Sequence, residues 1–148
     1  RSFSIWTADG ALVFDSGDQL ERIVAAQSPV GFNVSNSNNT VDNRSDDKGP
    51  EPEGVTVADV NGRLLAFITL ERVGGVIVYD VTDPSHPTFQ SWTNNRTFGG
   101  SEVGPDSGPE GVTVVPATIT GPPLVLVGHE VSGTVTAFRV EGVPSPRR

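Results

Sequence analysis

The apolar residues of this chain fall in short β-branched runs that alternate with polar ones at period two. Ser2 to Trp6 and Leu12 to Asp15 read as two strands, joined across Ala8-Asp9-Gly10, and Asp-Gly is a strong hairpin signal. Asp18, followed three residues later by Glu21, forms a capping-box pattern. Leu20, Ile23 and Val24 then line one side of a short helix over about 19–26. From Ser28 to Pro52 the periodicity vanishes for 25 residues, a length that marks a functional or a disordered loop in a compact domain. The charged C-terminal half of this loop is expected to be functional and the Asn-rich half to be mobile.

Periodicity returns at Gly54 to Val60. Asn61-Gly62 is the best short hairpin turn available, and Arg63 to Leu70 is the return strand. If Val60 faces Arg63, Glu53 lies opposite Leu70 and diagonal to Glu71, so two carboxylates meet at one end of the hairpin with Arg72 nearby. After Gly74-Gly75, Val76 to Val81 forms a third strand. Asp83-Pro84-Ser85-His86-Pro87 turns the chain, and Thr88 to Thr93 makes a fourth. Four antiparallel strands in up-and-down order make one sheet.

Then the pattern repeats. Pro52-Glu53-Gly54-Val55-Thr56-Val57 recurs unchanged as Pro109-Glu110-Gly111-Val112-Thr113-Val114, 57 residues on. Glu71 finds a counterpart in Glu130, and Val78-Tyr79-Asp80-Val81 in Ala137-Phe138-Arg139-Val140, both 59 residues on. The two extra residues fall in the hairpin loop around Pro116 to Pro123, where insertions are tolerated. A repeat of nearly sixty residues and four strands is the signature of a β-propeller blade. The expected fold is therefore all-β: a propeller fragment of about two and a half four-stranded blades, with one short helix and a long polar loop.

The expected organisation runs as the last strands of a preceding blade plus the helix over 1–27, a polar and acidic loop over 28–53, and a complete blade over 54–93. A connecting loop over 94–110, an incomplete last blade over 111–140 and a tail over 141–148 follow. The chain starts without Met or a signal-like segment and already alternates like a strand, so it reads as a piece of something longer. No fourth strand is legible after Val140. Open strand edges attract other strands, so they are expected to pair with remaining blades of the parent chain or with a partner chain.

Composition narrows the function. Net charge is −8, and the ten basic residues are scattered, which argues against a nucleic-acid face. No apolar run approaches the ~18 residues of a membrane span. With no cysteine, disulfides and thiolate metal sites are excluded. Candidate chemistry concentrates in Arg44 to Gly54, where six of eleven residues are charged and two prolines stiffen the backbone. In a propeller, Glu53 and Glu110 would start adjacent channel-lining strands, backed by Glu71 and Glu130. Converging carboxylates repel unless something positive lies between them. That could be a hard cation such as Ca²⁺, held by Asp46, Asp47, Glu51, Glu53, Glu71, Glu110 and Glu130. It could equally be Arg44, Lys48 or Arg72, and an acidic surface loop that only hydrogen-bonds the blade entry is the plain alternative. His86, in an outer turn, reads as structural; His129 lies near the acidic face. Four Asn-x-Ser/Thr sequons, at Asn33, Asn38, Asn43 and Asn95, are candidate glycosylation sites.

Arg1-Ser-Phe-Ser-Ile-Trp, Leu12-Val-Phe-Asp-Ser-Gly, the Arg44 to Gly54 motif, Leu70-Glu-Arg-Val-Gly-Gly, Val78-Tyr-Asp-Val-Thr-Asp-Pro84 and Gly108-Pro-Glu-Gly111 together resemble the C-terminal part of the choice-of-anchor I domain family. These are secreted or surface-attached β-propellers, some of them described as alkaline phosphatases. His129 stands where Asn is expected in relatives. The resemblance implies an extracellular, cell-surface or periplasmic setting and leaves two functions open. One is a surface binding and assembly module with an acidic, cation-binding face. The other is a Ca²⁺-dependent phosphomonoesterase, whose carboxylates would hold the cation while Arg44, Lys48 and Arg72 bind phosphate. The residues show no dedicated nucleophile or general base.

Overall fold

The computed structural model describes residues 1–118 and 121–143; the end of the expected tail lies outside them. Strands β1 (Ser4–Trp6) and β2 (Leu12–Asp15) form a two-stranded hairpin. Helix α1 (Gln19–Gln27) and a 3₁₀ turn (Pro29–Gly31) follow. A four-stranded antiparallel sheet runs in order through β3 (Pro52–Val60), β4 (Arg63–Leu70), β5 (Val76–Asp80) and β6 (Thr88–Thr93). A three-stranded sheet comprises β7 (Pro109–Val115), β8 (Leu124–His129) and β9 (Thr134–Arg139). The all-β, two-and-a-half-blade architecture expected from the repeat is the one observed.

The second sheet repeats the register of the first. Val55 pairs with Ile68, and Val112 with Val127. Pro52 pairs with Leu70, and Pro109 with His129, each across a bulge at the Glu-Gly step. That bulge corrects the straight ladder expected from the sequence: Pro52, not Glu53, stands opposite Leu70, because the extra residue shifts pairing by one. Glu71 N–H donates to the Glu51 carbonyl and Glu130 N–H to the Gly108 carbonyl, so the closing turns match as well.

Two apolar layers flank the four-stranded sheet. On one face Ile68, Leu70, Ile77 and Tyr79 pack against Leu20 and Val24 of α1, with Phe3 from the hairpin against them. Phe3 meets Tyr79 edge-on at 4.8 Å between ring centroids. On the other face Leu65, Phe67 and Val76 pack against Val125 and Val127. Alternation along β4 and β5 therefore feeds both layers, as a strand covered on both sides requires.

The helix stands where the capping pattern placed it, but the capping box does not form. Asp18 instead accepts from Arg22 Nε at 2.9 Å, and Glu21 turns to Arg1 at 2.6 Å and to Asn33 Nδ2 at 2.7 Å. Charged donors outcompete the backbone amides for both carboxylates. The Asn-rich segment, expected to be mobile, is also different: Asn33, Val34, Ser35 and Asn36 are buried. Arg96 holds it. Its guanidinium donates to the carbonyls of Ser35 (2.6 Å), Asn38 (2.9 Å) and Arg72 (2.6 Å) and to Asn39 Oδ1 (3.0 Å). It also lies over the Phe98 ring.

The inner strands β3 and β7 start side by side. A Cβ at Gly54 would fall deep inside contact distance of the Glu110 carbonyl oxygen and 2.9 Å from Thr69 Oγ1. That oxygen also accepts from Gly54 N–H at 2.8 Å. Since one of these neighbours is backbone, relief by a side-chain rotation is unavailable. Gly54→Ala is expected to lower the stability of the chain by about 1–3 kcal/mol, read by urea denaturation. A change near zero would mean the two sheets do not meet here.

Candidate functional site

The stretch Arg44 to Gly54 leads into β3 and is strapped down from two sides. Arg1 reaches the carbonyls of Ser45 and Asp47 as well as Glu21, and Arg44 and Gly49 N–H groups donate to the Asn33 and Arg44 carbonyls. Its backbone passes through the left-handed region at Gly49 (φ 64°) and again at Glu51 (φ 51°). The same path recurs 57 residues on, at Asp106 (φ 57°) and Gly108 (φ 71°). Both blades therefore enter their inner strand by one backbone geometry, with different side chains on it.

In the first blade this geometry buries carboxylates. Glu51 accepts from Arg44 at 2.7 Å and pairs with Arg72 at 3.4 Å; Arg44 also pairs with Asp47 at 2.6 Å. Arg72 reaches Glu71 at 3.1 Å, and Asn36 Nδ2 donates to the same Glu71 oxygen at 2.8 Å. Burial alone would push Glu51 up, but the Arg44 hydrogen bond and the Arg72 charge hold it below the usual carboxylate range. Glu71 goes the other way. Burial, with Glu53 and Glu51 close by and against the Arg72 charge, pushes it up to about 7. Arg44 and Arg72 thus serve Asp47, Glu51 and Glu71, and Glu71 is the member that holds its proton to the higher pH.

The other sequence candidates are placed differently. Asp46, Asp47, Lys48, Glu53, Glu110 and Glu130 are exposed. Glu53 and Glu110 leave adjacent strand starts, and Glu130 lies in the turn hydrogen-bonded to Gly108, so these three share the end of the two inner strands. Among the described residues, no three acidic or histidine side chains are grouped so as to hold a metal ion. Of the sequons, Asn43 and Asn95 are exposed and Asn38 is half-buried. Asn33 is fully buried, with its amide donating to Glu21 and to Ser45 Oγ at 2.8 Å, which closes it to glycan transfer in the folded chain. His86 is exposed against Asp83 at 3.0 Å.

Three participants escaped the sequence reading. Asn36 and Arg96 lie in polar stretches without a pattern, and only the tertiary contacts reveal them. Asp106 accepts from Asn95 at 2.9 Å and Thr134 at 2.8 Å, which hold it below the usual range. Its alignment with Gly49 in the repeat could have flagged it. His129 occupies the position of Leu70, is buried, and neither ring nitrogen has a partner. Burial depresses its pKa, opposed by the nearby Asp106 charge.

These features define a β-propeller segment with an acidic end to its inner strands. The chain belongs to the choice-of-anchor I domain family, whose model matches residues 1–84. It is 31% identical over 164 residues to Gigasin-3a of Magallana gigas, covering 99% of this chain and 57% of that one. It is 33% identical over 95 residues to the mesenchyme-specific cell surface glycoprotein of Strongylocentrotus purpuratus, covering 57% of this chain and 12% of that protein. This chain therefore spans only part of the length of both relatives. No solved structure matches it.

Two opposed pH dependences follow. Glu71 binds its proton more tightly folded (about 7) than unfolded (4.5), so its contribution to stability is fully present below pH 4.5 and lost as pH rises through 7. Stability of the wild type relative to Glu71→Gln should fall across that window, read by urea denaturation at a series of pH values. For His129 the folded pKa lies below the unfolded 6.5, so stability present above that pH is lost as pH falls through the folded value. Relative to His129→Leu, the wild type should weaken in acid below 6.5, and a flat difference curve in urea melts would refute the buried neutral imidazole.

Proposed function

We propose that this chain is part of an extracellular or cell-surface β-propeller that serves as a binding and assembly module, with an acidic rim that holds cations such as Ca²⁺. The observation that carries the cation reading is the exposure of Glu53, Glu110 and Glu130 at one end of adjacent strands, beside a network already short of positive charge. Likeness to a protein named as a cell surface glycoprotein supports the location. Exposed Asn43 and Asn95 are the sequons open to glycosylation in that setting.

The rim does not suit an enclosed metal centre. Glu51 and Glu71 spend oxygens on Arg44, Arg72 and Asn36, and the remaining carboxylates face solvent. Such a rim suits a cation that keeps most of its water and is held by summed charge. A phosphomonoesterase would draw on the same carboxylates and on Arg44, Lys48 and Arg72 for phosphate. Arg44 and Arg72 are committed to acidic partners, so the surface module is the better supported reading.

The test is the melting temperature in CaCl₂ against NaCl of equal ionic strength, at pH 7.5. The wild type should gain stability specifically in Ca²⁺, and Glu53→Gln with Glu110→Gln should lose that gain. Equal shifts in both salts would sink the cation reading. Cation-dependent hydrolysis of p-nitrophenyl phosphate would favour the enzyme instead.

A further inference from the structure

We propose that the turn between β5 and β6 is a self-cleaving site, where the Asp83 carboxylate breaks the Asp83–Pro84 peptide bond with His86 as general acid. The bond is in the sequence, and the folded turn arranges groups around it. Asp83 Oδ1 accepts from Ser85 N–H at 3.0 Å, closing an Asx turn. The ring so closed contains the Asp83 carbonyl carbon and the Pro84 nitrogen, so the carboxylate is folded over the bond between them. The Asp83 carbonyl oxygen accepts in turn from His86 N–H at 3.1 Å. That donor polarises the carbonyl and stands where an oxyanion would form.

The remaining part is an acid. His86 Nδ1 lies 3.0 Å from Asp83 Oδ2, the other carboxylate oxygen. Imidazoles take up a proton in mild acid, which puts a proton donor inside the turn that holds the leaving nitrogen. The His86 hydrogen bond, helped by Ser85 N–H, holds the Asp83 carboxyl below the usual carboxylate range. The carboxylate therefore stays ionised, as a nucleophile must, when the solution turns mildly acidic. Of the charged groups flanking the turn, Asp80 at the end of β5 accepts from Thr82 N–H and pairs with Arg63 of β4 at 2.8 Å.

The chemistry is an acyl transfer within one residue. A carboxylate oxygen bonds to the Asp83 carbonyl carbon and closes a cyclic anhydride of the succinic type. The C–N bond breaks, and the Pro84 nitrogen takes the His86 proton. Proline suits this role, because its amide nitrogen carries no N–H and departs as a secondary amine. Water then opens the anhydride to two carboxylates, and the protons released pass to His86 and to the new amine. Residues 82–86 are all exposed, so water reaches the anhydride. The net reaction is hydrolysis, with no other reactant. The cut does not free β6, which stays paired to β5 from Asp80↔Thr88 to Val76↔Thr93. Trp92 Nε1 also ties it to the Gly74 carbonyl at 3.1 Å.

The test follows the intact mass of the 148-residue chain at pH 5 and at pH 8, with the new N-terminus read by peptide mass spectrometry. At pH 5 the folded chain should split after Asp83, at least about tenfold faster than at pH 8. His86→Ala should slow the cut by a similar factor, and Asp83→Ala should abolish it. Both changes lie in an exposed turn, and urea melts of the variants check that the fold is kept. Wild type unfolded in urea at pH 5 should also be cut at least about tenfold more slowly than the folded chain. A chain that stays uncut at pH 5 would overturn the proposal. So would equal rates in the folded and unfolded chain, or in wild type and His86→Ala, which would leave only the ordinary acid lability of an Asp-Pro bond.

Discussion

The close approach of two inner strands at Gly54 and the Glu110 carbonyl is the constraint from which the acidic end follows. Strands that start this near each other bring the glutamate before each glycine to the same place. They also oblige each preceding loop to enter by the same left-handed route, Gly49 and Glu51 in one blade and Asp106 and Gly108 in the next. Packing between sheets thus dictates where charge accumulates. The shift of Glu71, by contrast, arises within the first blade, from burial beside Glu53 and Glu51.

One backbone supports two chemistries. Gly108 meets the left-handed conformation at no steric cost, whereas Glu51 pays about 1 kcal/mol or more to adopt it. The Arg44 and Arg72 contacts offset that strain and hold Glu51 ionised. Arg72 corresponds to Val131 in the second blade, Leu70 to His129 and Gly49 to Asp106. The first blade answers crowded carboxylates with arginine. The second leaves Glu110 and Glu130 in solvent and uses Asp106 to gather hydroxyl and amide donors instead.

Arg96 links this end to the rest of the chain. Burial lowers its pKa to about 10, yet its partners are three carbonyls and an amide oxygen. A guanidinium in such a cage satisfies backbone acceptors that a buried polar loop could not otherwise pair. The Asn-rich loop is fixed for this reason, and Asn36, carried on it, reaches Glu71. The loop therefore belongs to the site and does not merely connect to it.

Period-two alternation, the Asn61-Gly62 turn and the repeated Pro-Glu-Gly motif determined the strands, their up-and-down order and the blade identity, because these are local signals or simple periodicities. The meeting of Glu53 with Glu71 was legible for the same reason, although the bulge moved the register by one residue. What only the tertiary structure decided was how charge is partitioned. Glu21 left its capping role for Arg1 and Asn33, Arg44 and Arg72 took up Glu51, and burial raised the Glu71 pKa. Such choices depend on competition among donors from Arg1, Asn36, Arg44 and Arg72, which are spread over the first half of the sequence. No local pattern ranks those competitors; distance and burial do.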